Sequence, residues 1–143
     1  MKTLNILIIL VLVTSCLIMI GIGHGVGPLF LIELISIPAI FAYENGTNSY
    51  SEFLETFSFI SSFIAHILLI LASRNKKVKW KIILSSIGQL LLLVSIFILT
   101  RNSSFSNSHE FTLYSSTPAL VSMVLLSGYI VWNRKRLLDK GSS

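Results

Sequence analysis

Three groups of residues carry side chains that could do chemistry, each set in an apolar context. The first is His66, which follows Ser62 by one helical turn, together with Gln89 in the next apolar segment. Counted inward from the basic stretch at 74–81, both lie about 12 Å deep at 1.5 Å per residue of helix. An ionisable side chain at that depth in a membrane is costly to place and is a functional candidate by default. A neutral imidazole there could carry a proton, bind a quinone oxygen or ligate haem iron. The alternative is a satisfied polar pair that fastens two helices. Haem held by two histidines is disfavoured, because no second histidine shares that depth.

The second group is His24, Glu33, His109 and Glu110, expected at the outer membrane surface. Imidazole with carboxylate is the ligand chemistry of zinc, manganese or iron, so a divalent-metal site is one reading. The residues lack any metal-ligand spacing, and the His-Glu pair at 109–110 is not followed by the rest of an HExxH motif. Two unrelated interfacial histidines satisfy the sequence equally well, and the metal stays unknown.

The third is the run Gly21-Ile-Gly-His-Gly-Val-Gly27, which holds four of the chain's eight glycines. Val26 stands where a dinucleotide fingerprint needs its third glycine, and no lysine follows as in a phosphate-binding loop. Four alternating glycines weaken a helix, so the run is expected to turn the chain into a helix begun by Pro28.

The elements that must position these residues are apolar. The chain has 143 residues, is 53% hydrophobic and only 12% charged, and its mean hydropathy is +0.82. Four runs, at about 4–22, 53–73, 82–100 and 113–133, have the roughly 20 residues that carry a helix across a hydrocarbon core. In lipid such runs must be helical, because no water satisfies an open backbone. The segment 28–43 is as apolar but shorter, and is expected as an interfacial or re-entrant helix on the outer side. The sequence therefore predicts one all-α integral membrane domain, an antiparallel four-helix transmembrane bundle with a short outer helix and a basic tail at 134–143.

Charge placement orients it. Of the eleven basic residues, ten fall at Lys2, between Arg74 and Lys81, or between Arg134 and Lys140. The positive-inside rule then puts both termini and the 74–81 loop in the cytoplasm, with Trp80 and Trp132 at that interface. The same placement reads the net charge of +5 as a topology signal and not as a nucleic-acid surface. The Ile/Leu/Lys/Asn/Ser-rich composition points to a bacterial inner membrane. Val13-Thr14-Ser15-Cys16 matches a lipoprotein cleavage site, but the apolar run continues through Leu17–Ile20, which favours an uncleaved helix.

Small and polar residues line one face of each later helix: Ser58, Ser61 and Ser62 with His66; Ser85 and Gly88 with Gln89; and Ser122. Small residues let membrane helices approach closely, and Ser or Gln can bond between them. No charged residue lies centrally in the last three helices, and no Ser–His–Asp arrangement, intramembrane carboxylate pair or cysteine pair is readable. The leading expectation is a non-enzymatic accessory, assembly or oligomeric membrane component, acting through helix–helix contacts with itself or a membrane partner. The alternatives are a quinone- or redox-linked protein using His66 and Gln89, and an outer-face divalent-metal binder using His24, Glu33 and His109.

Overall fold

The computed structural model describes residues 2–22, 25–34, 50–102 and 108–139. In chain order these form α1 (Lys2–Cys16), β1 (Met19–Ile22), β2 (Gly25–Pro28), a short helical stretch over 29–34 (α2), α3 (Tyr50–Arg74), α4 (Val78–Asn102) and α5 (Ser108–Asp139). Three stretches, Thr56–Arg74, Val78–Arg101 and Thr112–Asn133, are long and apolar enough to cross a membrane. Their outward positions, among them Ile67, Leu90, Phe97 and Val124, are apolar and exposed, as lipid contact requires.

α1 packs against α3 and α5, and α4 packs against the same two helices. Between them lie Leu4, Ile8 and Val11 of α1, Ala65 and Leu69 of α3, Leu92 and Ile96 of α4, and Ala119, Met123 and Leu126 of α5. The tight turn between α3 and α4 follows from its sequence: Asn75 N–H caps the carbonyls of Leu71 and Ala72, and its side chain accepts from Lys77 N–H at 2.9 Å. At the same end Lys81, which is buried, donates to Asn5 Oδ1 and so ties the start of α1 to the start of α4.

The first apolar run departs from the expected helix over 4–22. α1 stops at Cys16, and Met19–Ile22 pairs with Gly25–Pro28 as an antiparallel hairpin with Ile20 opposite Gly27 and Gly21 opposite Val26. Isoleucine at 18, 20 and 22 alternating with glycine at 21, 23, 25 and 27 is a period-two pattern. The β-branched side chains favour extended backbone, and glycine disfavours helix. At 15 residues, α1 is only about 22 Å long. The described residues are thus predominantly helical and not purely so.

A two-stranded ribbon leaves outward-facing backbone groups that must find partners away from water. Leu29 N–H donates to Ile18 O at 2.7 Å, and the alternation of antiparallel pairs turns Met19 and Pro28 outward. Pro28, which has no N–H to leave unpaired, suits that edge. Met19 is served by α5: the Ser115 hydroxyl accepts from Met19 N–H at 3.0 Å and reaches Met19 O at 3.1 Å. Where an outer helix over 28–43 is expected, Pro28 closes β2 and a short helical stretch follows over 29–34; positions 35–43 lie outside the described residues.

Candidate functional site

The polar residues singled out in the last three helices are buried: Ser58, Ser61, Ser62, His66, Ser85, Gly88, Gln89 and Ser122. Gly88 shows why a small residue stands there. A Cβ at that position would lie 3.2 Å from both the Ala65 carbonyl and Leu69 Cγ, tighter than a relaxed contact. Ser122 shares a hydrogen bond of 2.8 Å with Thr14, and Ser95 donates to the Ser58 carbonyl at 2.9 Å. These groups fasten helices of one chain to each other.

His66 and Gln89 are each bonded to other residues. Gln89 Oε1 accepts from Ser127 of α5 at 2.9 Å. His66 binds Glu33: its Nδ1 lies 3.0 Å from Glu33 Oε2, and its Nε2 lies 3.0 Å from Ser15 Oγ. All three residues are buried. His66 sits eight residues from the end of α3 at Arg74, about 12 Å of helix, so Glu33 meets it in the interior.

This revises the second candidate cluster. Glu33 faces His66 inside the protein and does not stand at an outer surface. His24 lies outside the described residues, as do the side chains of His109 and Glu110. Among the described residues no group of three His, Cys, Asp or Glu side chains is arranged to hold a metal ion.

It also revises the expectation that no serine–histidine–carboxylate arrangement exists. Ser15 Oγ on Nε2 and Glu33 Oε2 on Nδ1 have the connectivity of such a relay. The three come from the last turn of α1, from α2 and from mid-α3, with 51 and 33 positions separating Ser15 and Glu33 from His66. No sequence spacing announces that. The signal that could have found Glu33 was its own: a carboxylate inside an apolar stretch needs a partner, and His66 is an ionisable group at membrane depth that can pair with it.

The hydrogens in this network can be counted. Ser15 Oγ also reaches the Leu12 carbonyl at 2.9 Å, and a hydroxyl has only one hydrogen to donate. If it donates to His66 Nε2, the ring is neutral and its Nδ1–H donates to a carboxylate. If it donates to Leu12 O, it accepts from Nε2–H instead. The hydrogen between Nδ1 and Oε2 then belongs either to an imidazolium beside a carboxylate or to a neutral carboxyl beside a neutral ring. The two arrangements differ by one proton; both ring nitrogens keep a partner in each, while Leu12 O receives the hydroxyl hydrogen only in the second. Apart from that proton, the change required is rotation of the Ser15 hydroxyl.

Comparison with protein-family models, with curated proteins and with solved structures finds no match to this chain.

Proposed function

We propose that this chain is a multi-pass membrane component whose Ser15–His66–Glu33 network takes up and releases one proton inside the membrane. The observation that carries the reading is the buried Glu33–His66 contact of 3.0 Å. Placing an acid and an imidazole in the apolar interior is costly unless they neutralise or pair. The Ser15 hydroxyl, shared between Leu12 O and His66 Nε2, lets His66 change its protonation while both ring nitrogens keep a partner. α1, α3, α4 and α5 form an antiparallel four-helix bundle in this reading, and residues 19–34 dip into it as a re-entrant element that delivers Glu33. The Asn5–Lys81 bond supports the start of α1 lying at the same end as the basic 74–81 loop, and the basic residues of that loop and of the tail favour the cytoplasmic side of a bacterial inner membrane for both termini.

The reading remains non-enzymatic. Helix–helix contact with a second copy or a partner loses its original motive, because the small and polar faces that suggested it are buried within one chain. A quinone oxygen at His66 would have to displace Ser15 or Glu33, since both ring nitrogens are engaged.

The test is infrared spectroscopy of the full chain in phosphatidylcholine vesicles, titrated from alkaline to acidic pH. The expected result is a change in carboxyl and imidazole bands over one common transition, absent from Glu33→Gln. A wild-type spectrum identical to that of Glu33→Gln at every pH would reject the reading.

A further inference from the structure

Two polar atoms beside the pair have no hydrogen-bond partner: Glu33 Oε1 and Ser62 Oγ. Glu33 is 3% exposed and Ser62 is fully buried. Ser62 precedes His66 by one turn of α3, so the two side chains lie on one face about 6 Å apart along the axis. Glu33 Oε1 belongs to the carboxylate already in contact with that imidazole.

Among the described residues, Ser62 and Glu33 are the two with a buried side-chain polar atom that has no hydrogen-bond partner. Serine in a helix ordinarily folds its hydroxyl back onto the carbonyl one turn earlier. Ser15, Ser73, Ser85, Ser115, Ser116 and Ser122 all do so, at 2.7–3.1 Å. Ser62 does not, and the Ser58 carbonyl one turn before it accepts from Ser95 instead. A buried hydroxyl and a buried carboxylate oxygen left open beside the same ring are groups that a small hydrogen-bonding ligand would satisfy.

We infer that Ser62 Oγ and Glu33 Oε1 hold a water molecule between them, and that this water is the route by which a proton reaches the Glu33–His66 pair. Water suits both groups, since it donates to the carboxylate and either donates to or accepts from the hydroxyl. An excess proton that reaches this water is passed on to Glu33 Oε1, which leaves the water neutral, while Ser62 Oγ holds the water in place. Ser62 is a positioning residue, and it neither gains nor loses charge. The inference rests on the proton-exchange reading above and adds the path.

The experiment is hydrogen–deuterium exchange of the buried pair. The full chain in phosphatidylcholine vesicles is mixed with heavy water, and the carboxyl and imidazole infrared bands are followed in time. Ser62→Ala is expected to slow the exchange by about tenfold, as removal of one anchor of a bridging water should. Ser62→Thr, which keeps the hydroxyl, is expected to restore the wild-type rate, and Ser85→Ala to leave it unchanged. A folded Ser62→Ala that exchanges at the wild-type rate overturns the water route while leaving proton exchange at the pair intact. A Ser62→Thr protein as slow as Ser62→Ala also overturns it, because a packing defect would then explain both. A wild-type pair whose bands never shift in heavy water overturns the route and the proton-exchange reading together.

Discussion

Glu33 and His66 are 33 residues apart in the chain, and Oε2 of one lies 3.0 Å from Nδ1 of the other in the buried interior. The contact joins α2, from a segment whose composition reads as outer-surface structure, to the middle of α3. The Glu33 contact and the Leu29–Ile18 backbone bond hold that segment in place. Its geometry gives the protein its one described buried acid–imidazole pair, so most consequences follow from what breaks it.

Removing one partner should cost more than removing both. Glu33→Ala leaves a buried imidazole without its acid, and His66→Ala leaves a buried carboxylate. Each is expected to lower stability by about 3–5 kcal/mol, while a Glu33→Met/His66→Leu double variant loses far less than the sum. Unfolding in mixed detergent micelles, followed by helical circular dichroism, measures all three. Additive losses would show that the two side chains do not interact.

Much of the architecture is legible before any coordinates. The three long spans declare themselves because lipid forces an apolar stretch of that length into helix, and the buried faces of α3 and α4 appear as serines and glycine at helical spacing. The hairpin was readable too, in isoleucine alternating with glycine from Ile18 to Gly27, but a membrane-length apolar run masks a period of two. The site itself was hidden for a topological reason. Ser15, Glu33 and His66 belong to three elements with no fixed offset between them, and only the hairpin's return of the chain toward the interior brings Glu33 to His66. Gln89 sits on the neighbouring helix, yet its partner is Ser127, which spacing along one helix could not reveal.

Gly88 should tolerate no side chain without cost. Alanine there must push against the Ala65 carbonyl and Leu69, each 3.2 Å from the new Cβ, and a destabilisation of about 1–3 kcal/mol is expected. Gly128→Ala is the control. Its Cβ would meet nothing within 4 Å, and helix propensity alone predicts a gain of up to about 1 kcal/mol. The same detergent unfolding assay separates them, and equal effects at the two sites would contradict close α3–α4 packing.

Ser115 substitutes for a missing strand neighbour. With Ser115→Ala, Met19 N–H and C=O lose the hydroxyl that serves them, at a cost of about 1–3 kcal/mol. The loss should be local. Backbone amide exchange should rise at Met19 and its hairpin partners and stay unchanged in α4. Uniform acceleration across the chain would point to general destabilisation.

Nitrogen-15 NMR of His66, in a protein with His24 and His109 replaced by glutamine, tests the central claim most directly. The two ring nitrogens report which of them carries hydrogen. On acidification Nε2 is expected to pass from bare acceptor to N–H or to an averaged value. Nδ1 should keep its shared hydrogen throughout, and Glu33→Gln should abolish that response because an amide cannot take up the shared proton. A His66 spectrum fixed in one tautomer at every pH at which the protein stays folded would contradict proton exchange at this site.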